Sequence, residues 1–122
     1  MKQPKPSPYQ GFSFAIAGII NTIKSEANFK FHIVAALVAI GMGLFFKLTT
    51  YEWLWIALSI AIVMLTELIN TSVESLANVV SPEYHPLIKK TKDAAAGAVL
   101  IAALFAFICG MVIFIPYLIE AF

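Results

Sequence analysis

Glu67, Asn70 and Glu74 stand together in the stretch Glu67-Leu68-Ile69-Asn70-Thr71-Ser72-Val73-Glu74, which ends an otherwise apolar run. Offsets of three and seven place all three side chains on one face of a helix. Lys92 and Asp93 open a second apolar run, and Glu26 precedes a third. Ionisable groups inside a membrane segment cost about 2.5–3.5 kcal/mol each on insertion scales, which marks them as functional candidates. At about 1.5 Å per residue, Glu67 lies roughly 21 Å along a helix from Trp53, still within membrane depth, while Glu74 falls near the surface. Glu26, Glu67, Glu74, Asp93 and Lys92 are therefore expected at one membrane face.

This set of residue types suggests particular chemistry. Carboxylates from two elements suit Mg²⁺, which usually keeps waters and substrate phosphates as its other ligands. A carboxylate at membrane depth can act as a general base, and lysine binds phosphate as a point charge. Phosphoryl transfer needs such a set of metal, base, cation and positioning groups. Yet the six glycines, at 11, 18, 41, 43, 97 and 110, form no phosphate-binding loop. The kinase-type motif set is also missing. A proton or ion path in a small non-enzymatic subunit would use similar acids, and spacing alone leaves it open. Depth weighs against it, because residues 33–46, 53–65 and 98–116 offer almost no polar groups for a path across the other half.

The elements that must position these residues are membrane helices. Of 122 residues, 61% are hydrophobic and 12% charged, with a mean hydropathy of +0.89. Soluble domains are nearer half apolar and a quarter charged, and a chain this short could not bury the excess in one core. The expected fold class is an all-α integral membrane protein forming one domain over residues 1–122. A span needs roughly 20 mainly apolar residues. Three candidates meet or approach this, at residues 31–48, 53–75 and 93–119. Residues 8–30 differ: Phe12, Ile16, Ile19, Ile20 and Ile23 recur at helical spacing with polar residues elsewhere on the wheel, which reads as an amphipathic surface helix. His32 reads as structural or interfacial. Gly41, Gly43 and the stretch 94–97 read as close-packing surfaces.

Lysine placement orients the chain. Lys2, Lys5, Lys24 and Lys30 precede the first span and Lys89, Lys90 and Lys92 precede the third, whereas only Lys47 lies between the first and second. The N-terminus and the 75–93 loop are thus expected in the cytoplasm. Tyr51, Trp53, Trp55 and Tyr117 fit an aromatic belt at the other face. The polar, proline-containing residues 1–8 lack the features of a secretory signal. A lone Cys109 makes no disulfide framework. A net charge of +1 suggests no nucleic-acid partner.

Four stretches carry a family resemblance: Ser25-Glu26-Ala27-Asn28-Phe29, the 67–74 block, Ser81-Pro82-Glu83-Tyr84-His85, and Lys92-Asp93-Ala94-Ala95-Ala96-Gly97-Ala98-Val99-Leu100. Together they resemble the prokaryotic diacylglycerol kinase family over roughly residues 10–115, and the 81–86 loop looks more like its undecaprenol-using branch. The resemblance implies a small trimeric enzyme of the bacterial inner membrane that phosphorylates a lipid alcohol, undecaprenol or diacylglycerol, with MgATP. By position it implies Glu67 as catalytic base. Glu26 and Glu74 match metal-holding acids. Glu83, Tyr84, His85, Lys92 and Asp93 match nucleotide-contacting positions, as do the two metal acids, and Asn70 matches a position near the base and the lipid headgroup. Two departures stand out: Ser7 falls near a place where many members have a basic residue, and Phe14 where tyrosine is common. A lone three-span bundle has little interior, so Glu67 and Asn70 would face lipid. A homo-oligomer is therefore expected, with Glu67 on one subunit and part of the nucleotide contacts on another.

Overall fold

The computed structural model describes Pro4, Lys5 and residues 7–122 of the chain. Four helices follow one another: α1 (Pro8–Ser25), α2 (Ala27–Phe46), α3 (Thr50–Val80) and α4 (Pro86–Ala121). No strand occurs among the described residues. The last three helices are long and apolar enough to cross a membrane, so the chain is an all-α membrane protein with three spanning helices and a preceding amphipathic one.

Local chemistry sets each boundary. Ser7 caps α1: its hydroxyl accepts from the Gln10 amide at 3.2 Å while the Gln10 side chain accepts from the Ser7 amide at 3.0 Å, a reciprocal box that satisfies two otherwise unpaired donors. Pro8 sits in the first turn, where its missing N–H costs nothing. The amphipathic helix stops at Ser25 rather than continuing to residue 30, because Glu26 takes an extended backbone (φ −112°, ψ 113°) and α2 restarts at Ala27. At its far end α2 closes on Lys47, which adopts the left-handed conformation (φ 56°, ψ 60°). Thr49 and Glu52 form a second capping box at the start of α3. His85 caps α4, its Nδ1 accepting from the Leu87 amide at 3.1 Å, with Pro86 next. Pro116 lies inside α4 without ending it; intramembrane proline is tolerated where neighbouring groups re-satisfy the freed carbonyl.

Lengths differ in a way that matters for the site. The 20 residues of α2 make about 30 Å, the thickness of the hydrocarbon layer. The 31 residues of α3 and 36 of α4 make about 46 and 54 Å, so both outrun α2. Helices α3 and α4 pack along their lengths, and α2 lies on α3.

The core sits at the end carrying the Lys47 turn. Leu48, Ile56, Ile113 and Phe114 are buried there, with Phe46, Trp53 and Tyr117 packed around them. Phe46 stacks on Tyr117 at 5.6 Å between centroids, and the Tyr117 hydroxyl donates to Glu52 at 2.5 Å, tying α4 to the cap of α3. Gly43 makes the tightest approach: a Cβ there would stand 2.6 Å from the Trp53 ring. Gly41 and Gly97 face open space within the single chain. Elsewhere large apolar side chains such as Leu37, Leu44, Ile101 and Val112 are exposed, as expected where lipid or another helix is the solvent.

Candidate active site

Opposite the core, α3 carries a polar face into the bundle. Glu67 is only 3% exposed. Its Oε1 lies 3.2 Å from His32 Nε2 on α2, within hydrogen-bonding reach. The single chain thus already shelters Glu67: α2 lies against α3 and covers it with an imidazole. The expectation that this acid needs a neighbouring subunit to escape lipid is corrected on that point. Sequence reasoning also missed His32 as a site residue. The available signal was an imidazole in an otherwise apolar run, but only the register of two helices pairs it with Glu67.

One turn on, Asn70 donates through Nδ2 to Glu74 Oε1 at 3.2 Å, the interaction that an i, i+4 spacing permits. Its Oδ1 is buried and has no partner among the described residues. A buried carbonyl oxygen without a donor is costly and points to a group that arrives from outside. A hydroxyl or a bound water would satisfy it.

Helix register places Glu26. Helices α2 and α3 run antiparallel, and His32 faces Glu67. Going back from His32 to Glu26 covers about 9 Å and going on from Glu67 to Glu74 about 10.5 Å, in the same direction. The two carboxylates therefore reach one height. Glu26 occupies the cap position of α2 without spending its side chain on capping. The buried Thr22 and Phe29 on either side hold this break in place.

Lys92 on α4 reaches across to α3, donating to Asn78 Oδ1 at 2.6 Å. Asn78 is one turn beyond Glu74, so the cation sits next to the same polar face. Asp93 points elsewhere and pairs with Lys89 at 2.6 Å on the exposed surface. In the connecting loop the Ser81 hydroxyl donates to the Glu83 carbonyl, while the Glu83 and Tyr84 side chains are exposed and His85 is occupied as a cap. The structure thus brings together Glu67, Asn70, Glu74, Lys92 and, by height, Glu26; Glu83, Tyr84, His85 and Asp93 rim this end. Ser7, at a position where a basic residue was expected from the resemblance, is explained locally as the cap of α1.

Among the described residues no three His, Cys, Asp or Glu side chains gather into a preformed metal cage. Mg²⁺ does not require one, since one or two carboxylates plus phosphate oxygens and waters suffice. Glu26 and Glu74 fit that donor set. On the other side of the His32–Glu67 pair, an apolar groove of about 450 Å³ opens between α2 and α4, lined among others by His32, Ala35, Val63, Ala103 and Phe107. The buried acid thus meets, through His32, one end of the apolar groove, and it shares its helix face with the polar Asn70 and Glu74.

Comparison with known proteins agrees in kind. The family profile described as prokaryotic diacylglycerol kinase matches residues 13–114. The chain is 39% identical to the undecaprenol kinase of Bacillus subtilis over 90% of its own length and 89% of that protein. It is 35% identical to a diacylglycerol kinase of Synechocystis over 97% of its length and 68% of the relative. The diacylglycerol kinase of Escherichia coli K12 is 31% identical over 69% of each chain.

Proposed function

The chain belongs to the prokaryotic diacylglycerol kinase family, and from that premise we propose that it transfers the γ-phosphate of ATP to the hydroxyl of a membrane lipid alcohol at the cytoplasmic face of the bacterial inner membrane. The observation that carries this reading is Glu67, a carboxylate nearly excluded from solvent at the junction of the apolar groove and the polar face. The groove accommodates the hydrocarbon tail of the lipid, and its head then lies beside Glu67. The same acids serve an ion path poorly, because the groove beyond His32 is lined by apolar residues apart from Ser59.

The step balances within these residues. Glu67 takes the proton as the lipid O–H bond breaks. The lipid oxygen forms a bond to the γ-phosphorus, the bond to the β–γ bridging oxygen breaks, and ADP leaves. Asn70 Oδ1, buried and unpartnered among the described residues, orients the incoming hydroxyl. Glu26 and Glu74 would hold Mg²⁺, which when bound would offset charge on the transferring phosphoryl group. Lys92 adds a point charge to the phosphates, and Glu83, Tyr84, His85 and Asp93 border the nucleotide. The lysine distribution supports a cytoplasmic N-terminus and 75–93 loop. A homotrimer is part of the proposal. The exposed apolar side chains of α1, Phe12 and Ile16 among them, suit a membrane surface or a neighbouring subunit.

Undecaprenol is the preferred acceptor, supported by the identity to the Bacillus enzyme over most of both chains and by the 81–86 loop. The test is ADP release and lipid phosphorylation by the purified chain in detergent with MgATP, comparing undecaprenol with diacylglycerol. Faster transfer to undecaprenol is expected. Preference for diacylglycerol would reassign the acceptor, and turnover with neither would remove the kinase reading.

A further inference from the structure

The His32–Glu67 pair has a consequence for catalysis that rests on the lipid-kinase reading. His32 directly precedes the apolar residues 33–46 of α2, and an imidazole at the head of that run is expensive unless it has a partner. Its partner is Glu67, at 3.2 Å. The imidazole is 17% exposed and the carboxylate 3%, and His32 also lines the groove, so the pair stands at the groove's polar end. A carboxylate on a long side chain has two oxygens and several rotamers, and only one arrangement presents a lone pair to an incoming hydroxyl.

We propose that His32 is a positioning residue for the phosphoryl transfer, turning its Nε2–H onto Glu67 Oε1, 3.2 Å away, so that the second carboxylate oxygen faces the lipid hydroxyl. His32 touches neither the phosphate nor the nucleotide in this role. It acts through Glu67, by fixing the rotamer of the base and by satisfying one of its oxygens where water cannot. The second oxygen is left for the proton.

The experiment compares His32→Phe, His32→Gln and Glu67→Asp, and the double variant His32→Phe/Glu67→Asp, each as full-length protein in detergent and each first checked for the parent's elution volume. His32→Leu replaces His32→Phe if the latter fails to assemble. Losing a hydrogen bond to a charged group predicts a kcat about 10–100-fold lower in His32→Phe, with KM for ATP within about twofold of the parent. His32→Gln, which keeps an N–H donor, regains most of that loss. In the Glu67→Asp background the shorter carboxylate has already left the imidazole, so His32→Phe costs less than about threefold further. Three results would each overturn the proposal: unchanged kcat in His32→Phe, equal loss in His32→Gln, or the same loss in both Glu67 backgrounds. Absence of transfer by the unsubstituted chain would instead overturn the kinase reading and this proposal with it.

Discussion

Asn70 donates through its amide nitrogen to Glu74 at 3.2 Å and keeps its amide oxygen buried without a partner among the described residues. The two halves of one side chain therefore do different things: one fixes the carboxylate assigned to the metal, the other waits for a donor beside the base. Because Glu67, Asn70 and Glu74 follow each other at helical spacing, a side chain between the two acids can couple the lipid end of the site to the nucleotide end.

Removing that coupling has a readable outcome. Asn70→Ala deletes both the donor to Glu74 and the unpartnered acceptor, and kcat/KM for the lipid is expected to fall about 10–100-fold, the range for a hydrogen bond to a charged group. Asn70→Asp keeps an acceptor oxygen but places a third acid one turn from the two others. It is expected to lose at least as much. Lipid titrations at saturating MgATP provide the measurement, and parent-like kinetics in Asn70→Ala would remove the residue from the site.

Glu67→Gln tests the base directly. The amide is nearly isosteric and can still meet His32, so insertion and assembly are expected to persist, while phosphorylation falls by at least about 10²-fold, the lower range for loss of a general base. Near-normal turnover by a correctly assembled variant would take Glu67 out of that role.

How much of this was legible in the chain depends on whether a feature is set by one helix or by two. The shared face of Glu67, Asn70 and Glu74 follows from helical period alone, and the three membrane-capable helices follow from hydropathy. The stop at Ser25 does not: no proline or glycine marks Glu26, and the apolar spacing continues through Phe29 and Ile33. The break is tertiary, with Thr22 and Phe29 both buried against the rest of the chain. The His32–Glu67 pair was equally hidden. It depends on the register between α2 and α3, which the turn at Lys47 sets through a left-handed conformation that lysine does not advertise. Helix ends were read short for a related reason. Residues 76–80 and 86–92 remain helical past the hydrocarbon layer, where hydropathy gives no signal.

The metal assignment makes a separate prediction. If Glu26 and Glu74 hold Mg²⁺ on the nucleotide, substituting either by glutamine raises the Mg²⁺ concentration for half-maximal activity by about tenfold or more, since hard oxygen ligands and their charge set affinity for this ion. Excess Mg²⁺ should then recover part of the rate. Titration curves superimposable on the parent's for both variants would show that the metal is held elsewhere.

Subunit arrangement is the last prediction, and helix register decides its direction. His32 and Glu67 belong to one chain, and stepping back from one while stepping forward from the other brings Glu26 and Glu74 of that same chain to one height, about 10 Å from the pair. On the proposal that Glu26 and Glu74 of one chain hold the same Mg²⁺, the base and both metal acids come from a single subunit, even inside a homotrimer. Mixing inactive Glu67→Gln chains with inactive Glu26→Gln chains is therefore expected to leave the mixed assembly inactive, because each chain lacks one group its own site needs. Restored activity would place Glu26 beside a neighbour's Glu67 and make the site one shared between chains. A fully active monomer in detergent, measured by light scattering on the assayed sample, would dispose of the trimer itself. Lys92 gives an independent check. Its contact with Asn78 is within the chain, so Lys92→Met mixed with Glu67→Gln is expected to stay inactive as well. Recovery in that mixture alone would assign only the phosphate-binding cation to a second subunit.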